Sequence, residues 1–405
     1  MKMRETLRVC VLTNSAGFDE LPLLRCLHHE LNQLLIYVCT STERGRDWKN
    51  EWGELPVRVR KCWTYVARQR YSALATEVFY RHIPYDTIPL LISWRPHVVV
   101  STELGFRTMQ AALYRKAFPD SRLIIWTGLS QHTEERVPRW RTHQRKIFFR
   151  AADAASANGV SARAYLLSLG VPEKKIFGLP YCLDLTPYLG MPLTREPGAM
   201  RRLLYVGQLI ERKGLGPFVR LLSDWVQEHP EYRWELQIAG DGPLRSQIEG
   251  IPIPSQLRLT FLGSVAREDL ASVYAKAGIV IFPTLADEWG LVVNEALAAG
   301  VPVLGSVYSQ AVEELVKDGE TGWVFRPDHA EEVRRALDRA LLAPASQLTG
   351  MRSKCRQAVG HLTPSYGANQ LLRAIRFVQT GVWDRALANK PMGEPAACCE
   401  AADVT

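Results

Sequence analysis

No stretch of this chain is long and apolar enough to cross a membrane. Among its 405 residues no hydrophobic run approaches the roughly 18 residues that a spanning helix requires. A secretory leader is not expected either. Arg8 and Asn14 flank only Val9-Cys10-Val11-Leu12, too short for the apolar core of a signal peptide and right for a first buried strand. Cytoplasmic residence is therefore the default expectation. Cysteine is sparse. Of eight, Cys10, Cys26, Cys39, Cys62, Cys182 and Cys355 are scattered, and none forms a C-x-x-C pair or groups with histidine at zinc spacing. Cys398-Cys399 is a vicinal pair in a small, acidic tail, open to acylation or simply part of a disordered end. Internal repeats and heptads are missing, which removes solenoids and coiled coils.

What is present is ordinary core material: 47% hydrophobic and 23% charged residues, enough for about two or three domains. The net charge of +8 is a local excess. Arg58, Arg60, Lys61, Arg68 and Arg70 form one basic group with Trp63, Tyr65 and Tyr71. Arg136, Arg139, Arg141, Arg145, Lys146 and Arg150 form another with Trp140, Phe148 and Phe149. Such surfaces suit an anionic membrane face, a lipid diphosphate or nucleic acid. The alternative is a solvated helix face.

Short apolar strands alternate with amphipathic helices throughout. The first half gives strands at Leu7–Leu12, Leu34–Val38, Val98–Val100, Leu123–Trp126 and Ala154–Ala157. The second gives Arg202–Gly207, Trp234–Ala239, Leu257–Phe261, Ile279–Pro283 and Pro302–Gly305, with helices such as Leu215–Glu228 and Arg267–Ala275 between them. Continuous apolar strands between helices predict parallel sheets covered on both faces, and two such sets predict an α/β chain of two Rossmann-like domains. Residues 1–184 form the first domain. Leu185–Met200, with Pro187, Pro192 and Pro197, reads as the linker. The second domain covers 201–360, a terminal helical segment 361–388 (helix-like over Asn369–Trp383), and a disordered tail 389–405.

The most informative stretch runs from Phe282 to Leu297: a buried strand, a turn carrying Asp287, then a helix bearing Glu295. The first turn of that helix, from Gly290 and Leu291, offers backbone N–H groups to an anion. The carboxylates suit a neighbouring polyol, so a nucleotide sugar fits both parts. Other strand ends of the second domain carry small residues: Gly207-Gln208, leading to Arg212-Lys213-Gly214; Gly240-Asp241-Gly242; Gly263-Ser264-Val265; and Gly305-Ser306. Open parallel sheets place ligands at such ends. In the first half, Asn14-Ser15-Ala16-Gly17, Ser101–Gly105, Trp126–Glu134 and Asn158-Gly159 stand in equivalent places. The plain alternatives are a carboxylate complementing the helix dipole for Asp287, a solvated helix position for Glu295 and a solvated loop for His132.

Residues from roughly Arg202 to Phe325 resemble the donor-binding domain of the retaining family-4-type glycosyltransferases (glycosyl transferases group 1), which have the GT-B fold. The resemblance rests on Asp287 and Glu295 with seven residues between them, on Gly207-Gln208-Leu209 with Lys213-Gly214, on Gly300-Val301-Pro302-Val303, and on Asp318-Gly319 with Thr321-Gly322. It implies two Rossmann-like domains facing a cleft, with a C-terminal helix crossing back to the first. It also implies that Glu295 holds ribose hydroxyls, that Asp287 faces the transferred sugar, and that Lys213 neutralises the diphosphate with the amides of Gly290 and Leu291. His132 is the nearest candidate for the acceptor-domain histidine of the family. Gly17 and Val265 line the donor side by strand-end position. Gln208 stands where the family has an arginine, with Arg212 as the compensating cation, and Ser309-Gln310 replaces a frequent Gly-Gly.

An Asp-x-Asp triad is absent from the strand ends, so neither metal nor cofactor is expected. The implied activity is transfer of a hexose from a nucleotide sugar to a glycan or lipid-linked glycan, in surface polysaccharide or glycolipid assembly, with no nucleic-acid partner. The rivals are a nucleotide-sugar epimerase on the same scaffold and a basic nucleic-acid-binding module.

Overall fold

The computed structural model describes residues 7–41, 52–70, 76–134 and 137–382. Tyr71, Arg136 and the 389–405 tail, with the side chains of Arg68 and Arg70, lie outside these residues. The first half contains β1 (Arg8–Thr13), β2 (Gln33–Val38), β3 (Val57–Val59), β4 (Cys62–Arg70), β5 (Thr76–Pro84), β6 (Val98–Thr102), β7 (Arg122–Trp126), β8 (Ala154–Ala157) and β9 (Ile176–Gly178). The second contains β10 (Arg202–Val206), β11 (Trp234–Ala239), β12 (Leu257–Gly263), β13 (Ile279–Phe282), β14 (Val303–Ser306) and β15 (Gly322–Phe325).

Among the described residues these strands build two parallel sheets, ordered β3-β2-β1-β6-β7-β8-β9 and β12-β11-β10-β13-β14-β15. The reason is visible within single strands. Successive strand residues point to opposite faces. In β1, Val9 and Val11 enter one core while Cys10 and Leu12 enter the other. In β10, Leu203 and Tyr205 face one side and Leu204 the other. Strands apolar on both faces are stable only between two helical layers.

Helices Leu215–Glu228 and Arg267–Ala275 occupy the spans read from sequence. The terminal helix starts earlier than its apolar pattern suggested. It runs Pro364–Thr380, because Thr363 caps it by accepting from the Tyr366 N–H at 3.2 Å and Pro364 suits its first turn. It crosses back to the first domain, where Leu371 and Ile375 join the core of Leu24 and Leu27. Arg122 ties it down by donating to the Val378 carbonyl at 3.0 Å. The linker contains a short helix, Thr186–Leu189, and a 3-10 turn, Pro197–Arg201.

The first basic-aromatic group is not a helix face. It lies on β3 and on an antiparallel ribbon of β4 and β5, whose β-branched and aromatic residues favour extended backbone. The second group is the helix Arg139–Ala151.

Candidate active site

Strand β10 ends at Val206, and the backbone turns through Gly207, whose carbonyl lies 1.9 Å from where a Cβ on Gly240 would sit. The two strand ends thus touch backbone to backbone, which needs glycine there. A 3-10 turn, Glu211–Lys213, then aims two cations at the next strand end. Lys213 Nζ makes an ion pair with Asp287, and Arg212 stands 3.6 Å from the same carboxylate while donating to the Ala286 carbonyl at 3.0 Å. Burial raises the Asp287 carboxyl, but the Lys213 and Arg212 charges outweigh it and hold it below its ordinary value. Two adjacent cations and a carboxylate more than seventy residues away therefore form one charged cluster beside the helix Leu291–Ala298.

Gly290 precedes that helix with φ of 108°, and the described residues provide no side-chain cap. Its N-terminal end carries the partial positive charge that favours a phosphate. Glu295 is 4% exposed, so it is not a solvated helix position. It accepts from the Tyr274 hydroxyl at 2.9 Å, and burial raises its carboxyl despite that bond. Neighbouring Asn294 is fully buried and structural: its Oδ1 accepts from Trp289 Nε1 at 2.8 Å.

The remaining expected residues are placed less directly. The Gln208 side chain is exposed, and its carbonyl accepts from the Tyr205 hydroxyl at 2.9 Å. Val265 is half-buried against the core below the Asp287 strand end. The Gly17 carbonyl accepts from the Glu20 and Leu21 N–H groups and starts the helix Leu21–Glu30. Beside it, the Arg267 guanidinium sits 4.2 Å from the Phe18 ring centre, linking the two domains. His132 lies on a single helical turn, Gln131–Glu134. Its Nε2 is 3.2 Å from Glu313, and its ring packs on Tyr308 with centroids 4.9 Å apart. The Tyr308 carbonyl in turn accepts from the Asp287 N–H at 3.0 Å. His132 is thus one residue removed from the charged cluster.

Several residues of this region take roles that the sequence did not indicate. Gln310 donates to the carbonyls of Gly128 and Glu288 at 2.9 and 2.6 Å, and accepts from the Ala162 N–H at 3.2 Å. Glu314 accepts from the Val160 N–H at 2.5 Å. The pair caps the start of a first-domain helix, Val160–Ser168, with second-domain side chains. The partners are about 150 residues apart in sequence, and no local pattern encodes such a contact. Glu288 opens to the cleft, but both domains crowd it. That burial, then the charges of Glu103 and Asp287, push its carboxyl up to about 7.

The Glu288 shift has a direct consequence. A carboxyl raised in the folded state binds its proton more tightly there than in the unfolded chain. Its ionisation therefore costs stability progressively from about pH 4.5 to about pH 7. Glu288→Gln removes that cost. The variant should melt above the wild type at pH 8 and level with it at pH 4.5; an equal difference at both values in thermal scans would contradict the shift.

Residues 200–342 match the family model of glycosyl transferases group 1. A glycosyltransferase of uncharacterised specificity from Methanocaldococcus jannaschii is 29% identical over 143 residues, 35% of this chain and 36% of that protein. The D-inositol 3-phosphate glycosyltransferase of Kineococcus radiotolerans is 27% identical over 236 residues, 52% of this chain and 54% of that protein. The chain thus matches only about a third to a half of the length of these curated relatives. Among solved structures, Anabaena HepE in complex with UDP superposes with a TM-score of 0.67 at 14% identity, covering 91% of this chain and all of that one. The likeness to glycosyl transferases group 1 is thus confined to residues 200–342, and the chain as a whole has the GT-B fold.

Proposed function

We propose that the chain is a retaining hexosyltransferase that moves a sugar from a nucleotide-sugar donor to a hydroxyl of a glycan or lipid-linked glycan. The observation that carries this reading is the Asp287, Lys213 and Arg212 cluster at the start of the helix Leu291–Ala298. It pairs cations and helix amides for a diphosphate with a carboxylate for sugar hydroxyls. Anabaena HepE, which shares the fold, was solved with UDP and glucose, and the match to D-inositol 3-phosphate glycosyltransferases supports a hydroxyl acceptor.

The protein's part in the reaction follows from electrostatics. Negative charge grows on the diphosphate as the glycosidic bond breaks, and Lys213, Arg212 and the amides of Gly290 and Leu291 stabilise it, with no divalent ion needed. Asp287 orients the departing sugar through its hydroxyls. Retention follows if the leaving diphosphate takes the acceptor proton on the same face. Glu295 holds the ribose, and closure about the linker excludes water.

The test is thermal. Saturating UDP, GDP or ADP at about a hundredfold over Kd should add roughly 2.7 kcal/mol of stability. Glu295→Ala should fold, melt lower because the Tyr274 hydroxyl loses its partner at about 1–3 kcal/mol, and lose most of that ligand gain along with transfer. If no diphosphate stabilises the wild type, the site assignment is wrong. Epimerisation of donor alone, with no acceptor, would replace transferase by epimerase.

The first domain also presents Trp63 and Trp140, 68% and 62% exposed, beside Lys61, Arg139 and Arg141. Among the described residues, no helix is long and apolar enough to cross a membrane. Peripheral attachment to an anionic membrane through these rings is the reading we favour for a lipid-linked acceptor. Flotation with phosphatidylglycerol vesicles but not phosphatidylcholine vesicles, lost in high salt, is the expected result. Equal behaviour with both lipids would remove it.

A further inference from the structure

Asn158, at the end of β8, is 4% exposed, and neither its Nδ2 nor its Oδ1 has a partner among the described residues. A buried amide left unpaired costs about 1–3 kcal/mol, so its presence calls for a reason. Its surroundings point to one. Measured from where a Cβ on Gly128 would lie, Asn158 Nδ2 is 3.0 Å away, Glu288 Oε2 3.2 Å and the Tyr181 hydroxyl 3.5 Å. Three polar tips, from three separate chain segments, gather over a residue that has no side chain. The described residues give the Glu288 carboxylate no hydrogen bond or ion pair, although it directly follows Asp287 in the turn. Tyr181 also lines a small cavity with Asp19, Glu20 and Trp126.

We propose that Asn158, Glu288 and Tyr181 form the subsite for the acceptor, and that it takes a neutral, hydroxyl-bearing sugar ring. This rests on the transferase reading above. The ligand class follows from the groups present. An amide empty at both ends needs a partner that donates and accepts, and a hydroxyl does both whereas an ammonium only donates. The acidic groups around Tyr181 are Glu288, Asp19, Glu20 and Glu103, and none is basic; even with the Glu20 carboxyl pushed up to about 8 and so neutral, an anionic group is repelled by the others. Glu288 accepts from a hydroxyl of the ring, and Asn158 fills its empty valences with the same or the adjacent hydroxyl. Because Asp287 and Glu288 are consecutive, donor and acceptor sugars meet on the two sides of one turn. Binding of the ring moves the Glu288 side chain aside, since it and Tyr181 now cover Asn158.

The experiment uses the full chain and saturation-transfer NMR with methyl α-glucoside, methyl α-galactoside and methyl α-mannoside, each with and without UDP or GDP. The wild type should show a signal for at least one hexoside. Glu288→Ala and Asn158→Leu should each weaken it about tenfold or more, the equivalent of one lost hydrogen bond, and Gly128→Ala should weaken it as much by filling the space, while the diphosphate thermal shift is kept. Asn158→Leu separates function from structure: replacing an unpaired amide by an apolar group of similar size should hold or raise the melting temperature. If that variant fails to fold, Gly128→Ala decides the case, since it adds one methyl group where the tips converge. Hexoside signals that survive Gly128→Ala and Glu288→Ala overturn the subsite. A wild type that gains from diphosphate yet shows no hexoside signal overturns the subsite alone. One that binds hexoside but gains nothing from any diphosphate keeps the subsite and removes the donor reading.

Discussion

Lys213→Ala should lower the turnover of sugar transfer about 10²- to 10³-fold, the usual effect of removing one preorganised group that meets developing charge. Lys213 belongs to the short turn Glu211–Lys213 and ends at the Asp287 carboxylate. In the free protein the pair is mutually neutral. On the proposed reading, a bound donor brings its diphosphate oxygens to the ammonium, whose contribution grows as the sugar departs. The loss should therefore fall on turnover more than on donor binding. Folding should survive, because Arg212 remains 3.6 Å from Asp287 and still offsets its charge. Lys213→Arg should not restore the rate, since a planar fork cannot reach through the space of a single ammonium. The measurement is steady-state transfer with each nucleotide sugar, beside a melting curve for each variant. A Lys213→Ala enzyme within threefold of wild type would place the diphosphate elsewhere.

How much of this was legible depends on the range of the interaction. Strands such as Val9–Leu12 and Leu203–Tyr205 are apolar on both faces, and that property belongs to neighbouring residues, so the two parallel sheets were readable. The Asp287 turn and the helix after it were readable for the same reason. The β4 and β5 ribbon was not, because its exposed Trp63, Tyr65 and Val66 mix apolar and basic residues with no core to sort them by face. Glu295 was read as open to solvent in its plain alternative, yet Tyr274 and burial hold it; tertiary packing overrides helix position. Glu288 was given no role from sequence. Its raised carboxyl depends on Glu103 in the other domain, and nothing within a local window reports that. Gln310 and Glu314 are the same case: they cap a helix of the other domain, and the replacement of Gly-Gly by Ser309-Gln310 was visible while its purpose was not.

The largest loss of stability is expected from Gly290→Ala, and it tests whether the start of the helix Leu291–Ala298 is a built anion site or an incidental bend. Gly290 has φ of 108°, a region that costs side-chain-bearing residues about 1–3 kcal/mol. An added Cβ would also lie 2.8 Å from Ser309 Oγ and 2.9 Å from two Phe282 ring atoms. Neither neighbour can yield: Ser309 and Phe282 are 0% and 2% exposed, and Ser309 is bonded to the Trp289 carbonyl. Strain and overpacking together should cost about 3 kcal/mol or more, a fall of about 6–12 °C in Tm for a domain of this size. Gly319→Ala is the control. It has φ of 76° but open space around the new methyl group, so it should pay the conformational cost alone, about 1 kcal/mol. The two variants therefore separate crowding from backbone preference. Function should divide them in the same way. Gly319→Ala keeps the gain from nucleoside diphosphate. Gly290→Ala loses it even at temperatures where the chain is folded, because relieving the clash swings the Gly290 and Leu291 amides away from the phosphate. A Gly290→Ala protein that melts low but retains the full diphosphate gain would show that those amides do not touch the ligand, and the anion site would then have to be built from Lys213 and Arg212 alone.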